Sequence, residues 1–301
     1  MENIVVLSGN ANLELARETA KNCGLKLGKL AIEKFPDLET YARIDTPLKQ
    51  KKVFIIQPTC TPANEHLIEL LLAADAAKRA GAKKIIAVMP YYGYARQDRK
   101  VKEGEPVSAQ LFSILLKSAG VNEFIAMDLH SRAVEKFLKP KAHLHALPII
   151  AQYFKSKKIK DLVVVAPDKG ALKNVKKQAK ALNAKIAAIS KKRLSGSQVV
   201  AEKIEGEIRG KNCVIIDDII STAGTMCEAI KILKSNGAQN VYVAATHGVL
   251  AGKAIERLKS APVKEVIVTN TIPQKEHKKE LKKLRVLSIA PLLAQAIKQS
   301  K

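Results

Sequence analysis

The sequence predicts an α/β protein of two mostly parallel sheets flanked by helices, and three observations predict it. Short apolar runs alternate with amphipathic helical stretches almost from end to end. The runs are apolar throughout, as expected of parallel strands covered on both faces. The alternation comes in two sets of the same order, strand, helix, strand and charged loop, which suggests an internal duplication of a doubly wound unit. In the first set, strands are expected at 4–7, 53–57, 84–89 and 123–128. After the second of these, Asn64 is placed to cap a helix that runs through Arg79 and stops at Gly81. The second set has strands at 162–166, 185–189, 214–217, 241–246 and 263–269, with a helix from about Ala223 to Lys234 ahead of Gly237. A short strand at 285–289 and a helix at 291–299 follow. The seam lies near Leu147-Pro148, giving domains at 1–146 and 147–284, with 285–301 packing back on them.

With 301 residues, 47% of them hydrophobic, the chain can bury one large or two medium cores. Only 4% is aromatic and Trp is missing, so those cores are aliphatic. No apolar stretch approaches the roughly 18 residues of a membrane-spanning helix, and no membrane partner is expected. The segment Met1-Glu2-Asn3-Ile4-Val5-Val6-Leu7-Ser8-Gly9 has no basic leader and reads as a first strand, not a signal peptide. Cys23, Cys60, Cys213 and Cys227 show no paired spacing and read as reduced thiols of a cytoplasmic protein. The formal net charge is +24. Its lysines are spread over helices and turns, as at Lys173, Lys176, Lys177 and Lys180, without interleaved aromatics or a nucleic-acid-binding motif. A solvated lysine face that attracts anionic substrates fits better than a nucleic-acid surface.

The most informative segment is Val214-Ile215-Ile216-Asp217-Asp218-Ile219-Ile220-Ser221-Thr222-Ala223-Gly224-Thr225. An apolar strand ends in two carboxylates, a small-residue turn follows, and a helix begins. Free N–H groups and the helix dipole favour an anion in such a turn, and adjacent carboxylates accept hydrogen bonds from vicinal sugar hydroxyls. The arrangement is that of a sugar-phosphate cradle.

This segment resembles the PRPP-binding loop shared by type I phosphoribosyltransferases and ribose-phosphate pyrophosphokinases (PRPP synthetases). Other segments favour the second group. Gly24-Leu25-Lys26-Leu27-Gly28-Lys29 has the wrong spacing for a Walker A loop and no G-x-G-x-x-G occurs, so ATP would need another device. Tyr91-Tyr92-Gly93-Tyr94-Ala95-Arg96-Gln97-Asp98-Arg99 is similar to the synthetase segment in which the residues matching Arg96 and Gln97 contact ATP. Lys34-Phe35-Pro36-Asp37-Leu38-Glu39 is similar to the segment that reaches the adenine of a neighbouring subunit, which implies ATP-binding roles for Phe35, Asp37 and Glu39 and a homo-oligomer of at least two chains. In Asp128-Leu129-His130 and Ala166-Pro167-Asp168, the residues matching His130 and Asp168 hold Mg²⁺, and His130 also ATP phosphate. Ser190-Lys191-Lys192-Arg193-Leu194-Ser195-Gly196-Ser197 resembles the catalytic flexible loop, with Lys191 and Arg193 as the catalytic pair.

The resemblance spans the whole chain in the right order, where a plain phosphoribosyltransferase would match only the second half. It implies two tandem type I phosphoribosyltransferase-like domains and an Mg²⁺-dependent transfer of the diphosphoryl group of ATP to ribose 5-phosphate, giving PRPP and AMP. Ser221, Thr222, Ala223, Gly224 and Thr225 would hold the 5-phosphate and Asp217 with Asp218 the ribose hydroxyls. The chain departs from the usual pattern at Ser221 (usually Asp), Ala223 and Leu38 (usually Gly), Lys34 (usually Arg) and Ser131-Arg132-Ala133. Ala223 implies that its position does not need a positive φ. The short loops and the Arg193-Leu194-Ser195 and Ile220-Ser221-Thr222 variants lean toward the archaeal branch. Two readings from other classes stand beside this one, a catalytically silent nucleotide-binding paralogue and a nucleic-acid-binding regulator.

Overall fold

Apolar runs become strands where expected, and polar residues decide where they bend away. The computed structural model describes residues 3–193 and 200–300. The chain forms two units, Met1–His145 with Thr271–Pro273 and Ser288–Lys301, and Ala146–Asn270 with Gln274–Leu287.

The first unit runs β1 (Ile4–Ser8), α1 (Leu13–Cys23), β2 (Leu30–Lys34), β3 (Thr40–Ile44), β4 (Lys52–Ile56), α2 (Ala63–Arg79), β5 (Lys84–Met89), α3 (Ser108–Ser118), β6 (Glu123–Met127), α4 (Arg132–Leu138) and β7 (Ala142–Leu144). β1, β4, β5, β6 and β7 make a parallel sheet in that order. The order runs one way, so the reversal expected of a doubly wound sheet is missing as a full strand. It survives as one parallel bridge, Val6 to Leu27, on the edge of β1 away from β4. Gly28 follows, and a Cβ there would lie 2.7 Å from Leu7 Cδ2. β2 continues from this bridge and folds back on antiparallel β3.

The second unit runs α5 (Leu147–Ser156), β8 (Leu162–Ala166), α6 (Leu172–Leu182), β9 (Lys185–Arg193), β10 (Val200–Glu205), β11 (Asn212–Ile220), α7 (Gly224–Ser235), β12 (Asn240–Gly248), α8 (Ala254–Ser260), β13 (Glu265–Thr269), α9 (Lys275–Glu280) and β14 (Leu284–Leu287). Its sheet has the order β10-β9-β8-β11-β12-β13-β14, parallel except for β10. Here the reversal is complete: β9 lies on one side of β8 and β11 on the other. The two units therefore share one plan, a central first strand, an outer second strand drawn out into an antiparallel hairpin, and later strands on the other side. α10 (Ala290–Gln299) belongs to the first unit and packs on α1, where the Cys23 thiol lies 3.8 Å from the Ala294 carbonyl oxygen.

Helix ends follow side-chain chemistry. Asn12 Oδ1 accepts from Leu15 N at 3.2 Å and Gly24, at φ 74°, closes α1. Buried Leu15, Ala16, Thr19, Ala20 and Cys23 form its inner stripe. Asn64, expected to cap α2, instead lies inside it, because the helix starts at Ala63 after Pro62, and its side chain accepts from the Tyr94 hydroxyl. The cores are aliphatic. Leu67, Leu70, Ala73, Ala74 and Ala77 of α2 pack on Val53, Ile55, Ile85 and Ala87 in the first unit. In the second, Ile230 and Leu233 of α7 pack with Ile215, Val243 and Val266. Each fully buried Leu or Ile contributes about 1.5–3 kcal/mol.

Three strands differ from expectation at the ends that matter. β6 stops at Met127, since Asp128 turns to φ 36°. β9 reaches Arg193, so the basic pair Lys191 and Arg193 lies on a strand and not on an extended loop. β11 continues through the acidic pair to Ile220.

Candidate active site

In the second unit, β11 pairs with β8 only from Asn212 opposite Leu162 to Val214 opposite Val164. Beyond Val214 it stays paired with β12 alone, through Ile220 opposite Gly248. A crevice therefore opens at the carboxyl ends of β8 and β11, where the strand order reverses, and such points collect ligands in α/β sheets. Asp168, just past β8, is exposed, and its Oδ1 accepts from Ala171 N at 2.9 Å. Asp217 is exposed, Asp218 half-buried, and Asp218 N donates to Asp217 Oδ1 at 2.8 Å. Both carboxylates lie on the stretch of β11 that has lost β8, and Gln178 Nε2 donates to the Ile216 carbonyl beside them at 3.0 Å.

The turn after β11 is fixed by the loop that follows β12 and by α8. Leu250 N donates to Ile220 O at 3.0 Å, Ala251 N to Ser221 O at 3.1 Å, and Arg257 Nη1 to Thr222 O at 2.8 Å. Ala223 sits at φ 58°, which overturns the expectation that this position avoids positive φ. Its methyl is buried among the α7 core residues, and that packing holds the strained backbone. Ala223 is also the N-cap of α7 and offers no side-chain acceptor. The first amides of α7, from Gly224 and Thr225 onward, thus meet the crevice as bare donors with the positive end of the helix dipole. Ser221, Thr222 and Thr225 add hydroxyls around them.

Lys191 and Arg193 lie at the far end of β9, in register with Glu202 and Val200 of β10. The rest of the basic segment, residues 194–199, lies outside the described residues.

In the first unit, the loop after β5 is pinned by its tyrosines. Tyr92, buried, donates to Ala109 O at 2.7 Å, Tyr94 rests on Phe112 with ring centroids 4.4 Å apart, and Gly93 N donates to Thr59 Oγ1 at 2.7 Å. A side chain at residue 93 would collide with the Thr59 carbonyl. The loop delivers exposed Arg96 and Gln97, and Ser108 donates to Gln97 Oε1 at 2.7 Å, which leaves the Gln97 amide nitrogen pointing its hydrogens elsewhere. His130, exposed, lies beyond neighbouring β6. Phe35, Asp37 and Glu39 occupy the turn of the β2–β3 hairpin, where Glu39 N donates to Asp37 Oδ1 at 3.1 Å and Phe35, half exposed, leans on Tyr41.

Two histidines missed by sequence reasoning support the His130 loop. Leu129 N donates to His143 Nε2 at 3.0 Å, so the ring proton sits on Nδ1, which faces Glu135 Oε1 at 3.4 Å. His145 Nδ1 lies 2.8 Å from Asp128 Oδ1, and the two rings are 4.6 Å apart. Their i, i+2 spacing at the end of β7 was the available signal.

The corresponding crevice of the first unit, at the ends of β1 and β4, is filled by its own side chains. Buried Glu69 accepts from Gln57 Nε2 at 2.6 Å, Asn10 N at 3.1 Å and Asn10 Nδ2 at 3.1 Å, and Gln57 Oε1 accepts from Ala11 N at 3.2 Å. Gly9 lets this network close, since a Cβ there would strike the Gln57 amide.

The donors also fit magnesium. Among the described residues no three His, Cys, Asp or Glu side chains converge as a metal cage. Mg²⁺ is commonly held by one or two carboxylates with waters and substrate phosphates, and the exposed Asp168 offers such a carboxylate. The four cysteines are free and buried, and burial pushes the Cys60 and Cys213 thiols up to about 11, so neither is a nucleophile at neutral pH.

Comparison with known proteins agrees with this geometry. Residues 4–120 match the model of the N-terminal domain of ribose phosphate pyrophosphokinase, and residues 197–301 that of the phosphoribosyl synthetase-associated domain. The ribose-phosphate pyrophosphokinase of Bacillus caldolyticus is 46% identical over 96% of this chain and 91% of its own. Those of Bacillus subtilis and Caldanaerobacter subterraneus subsp. tengcongensis are each 44% identical over 98% of this chain and 93% and 94% of theirs. These relatives are bacterial and give the archaeal leaning no support. The crystal structure of phosphoribosylpyrophosphate synthetase from Mycobacterium smegmatis superposes with a TM-score of 0.91 at 37% identity, covering 99% of this chain and 98% of that one. With near full-length identity of this order, two units on one α/β plan and an open acidic crevice ahead of an uncapped helix, the chain belongs to the ribose-phosphate pyrophosphokinase family.

Proposed function

We propose that this chain transfers the β,γ-diphosphoryl group of ATP to the anomeric hydroxyl of ribose 5-phosphate, giving PRPP and AMP for nucleotide biosynthesis. The observation that carries the reading is the crevice between β8 and β11, where two carboxylates stand ahead of a helix start that its own residues leave uncapped. The amides of Gly224 and Thr225 and the hydroxyls of Ser221, Thr222 and Thr225 hold the 5-phosphate, while Asp217 and Asp218 accept from the ribose hydroxyls. Ala223 contributes backbone shape only.

Arg96, Gln97 and His130 bind ATP, with a guanidinium fork suited to phosphate oxygens. Phe35, Asp37 and Glu39 receive the adenine of a neighbouring chain, so the protein works as a homo-oligomer of at least two copies. Exposed Ile68 and Leu72 on α2 and Leu111, Ile114 and Leu115 on adjacent α3 give the first unit an apolar face suited to self-association. His130 and Asp168 would hold Mg²⁺, which when bound neutralises phosphate charge. The anomeric oxygen attacks the β-phosphorus in line and loses its proton, the bond from that phosphorus to the α,β-bridging oxygen breaks, and AMP leaves. No covalent enzyme intermediate is needed, so catalysis is positioning and charge stabilisation. Lys191 and Arg193 supply cations to the transferred group. We place the reaction in the cytoplasm, where four free thiols stay reduced.

The test is an assay of AMP and PRPP formation from ATP, ribose 5-phosphate and Mg²⁺. Lys191→Ala should lower turnover by roughly 10³-fold or more while leaving ribose 5-phosphate affinity nearly unchanged. Unaltered turnover would remove Lys191 from the mechanism, and no AMP from the unmodified chain would leave the silent paralogue.

A further inference from the structure

We propose that the second unit holds another ligand site, for an organic anion with a flat apolar body, at the end of its sheet opposite the carboxylates. A cavity of about 490 Å³ opens where β8, β9 and β11 begin. That volume lies within the range of small-molecule sites, roughly 300–1,000 Å³. The five residues of β8 separate it from Asp168, roughly 16 Å at the rise of a strand. Nothing in the proposed transfer uses it.

Its walls and rim differ in kind. Phe154, Ile159, Leu162 and Leu182 make an apolar interior that an aromatic or alicyclic body would fill. Lys155, Lys158, Lys185 and Lys211 stand around it. Four lysines among twelve lining residues is twice the share supplied by 52 Lys and Arg in 301 residues. Lys211 lies 3.6 Å from Asp161, so that pair is neutral and three ammonium charges remain.

A simpler account is that these lysines only balance helix ends, since α5 and α6 both stop at this cavity. Each helix C-terminus carries roughly half a negative charge, so two offset about one lysine. A surplus of about two positive charges is left over apolar walls. It suits a ligand with one or two sulfonate, carboxylate or phosphate groups on a hydrophobic frame, and a bare inorganic anion would leave the walls wet.

The experiment is a fluorescence titration of the full-length protein with 8-anilinonaphthalene-1-sulfonate, an apolar ring system with one anionic group. The expected result is one saturable site per chain. Saturating ATP and ribose 5-phosphate should leave it in place, and the double variant Lys158→Glu/Lys185→Glu should weaken it at least tenfold. Lys158→Arg/Lys185→Arg should bind as the unmodified chain does. Lys158 and Lys185 are both exposed, so the variants should keep their far-ultraviolet circular dichroism and their AMP release. Dye binding indifferent to charge reversal, binding displaced by the substrates, or no saturable binding would each overturn the proposal. Because AMP release is read on the same samples, failure here is distinct from failure of the proposed reaction.

Discussion

Leu38 and Ala223 hold their backbones at φ 71° and 58°, where a Cβ crowds the following carbonyl. The left-handed region costs such a residue roughly 1–2 kcal/mol. These are two positions at which the family pattern that this chain resembles has glycine, and the angles give the reason. Leu38 is 73% exposed and gives up little packing on truncation. Leu38→Gly should therefore stabilise the first unit by about 1 kcal/mol, after the larger backbone entropy of glycine in the unfolded chain is subtracted. Ala223→Gly should gain less, because the methyl lost is buried. Urea unfolding read as a shift in midpoint checks both, and a lowered midpoint for Leu38→Gly would contradict the strain argument.

Glu265 ties three elements of the second unit together. It begins β13, accepts from the Tyr153 hydroxyl and the Lys157 ammonium of the α5 end at 2.7 and 3.1 Å, and faces Arg285 of β14 at 3.5 Å. Burial pushes its carboxyl up, but Tyr153, Lys157 and Arg285 outweigh this and hold it below the ordinary glutamate range. A lowered folded value means stability that is present above the unfolded carboxyl range, near 4.5, and is lost as pH falls through the folded value. Glu265→Gln should cost about 2 kcal/mol at neutral pH. The gap between variant and parent, followed by urea unfolding from pH 7 downward, should then narrow below about pH 4.5. A gap that stays constant would assign the loss to packing.

Strands with two covered faces were legible because burial on both faces forces continuous apolar runs, as in Leu162–Ala166 and Glu123–Met127. The two hairpins were not. Among the described residues β2 and β3 pair only with each other and stay half exposed, and the outer part of β9 reads Ser190-Lys191-Lys192-Arg193, so neither carries such a run. Within the candidate site, the small-residue turn and the acidic pair were visible because they are contiguous in sequence. The His143 support was not, since its contact with Leu129 spans fourteen residues and depends on β7 lying beside β6. The φ of Ala223 was misread, because residue type alone does not report the packing that holds it.

A net charge of +24 gives a long-range field that draws ATP and ribose 5-phosphate toward any open face. Salt near 0.15 M screens it beyond about 8 Å, so it bears on encounter more than on fit. Fit is set locally, and the two units differ there despite their common plan. Where the second unit leaves the ends of β8 and β11 parted, the first has stoppered the same place with Glu69, Gln57 and Asn10. The consequence is arithmetical. Under the proposed function, equilibrium dialysis should find one pentose phosphate per polypeptide, not two, and the doubled architecture would then host a single guest of this kind, with its other half released to serve a different molecule.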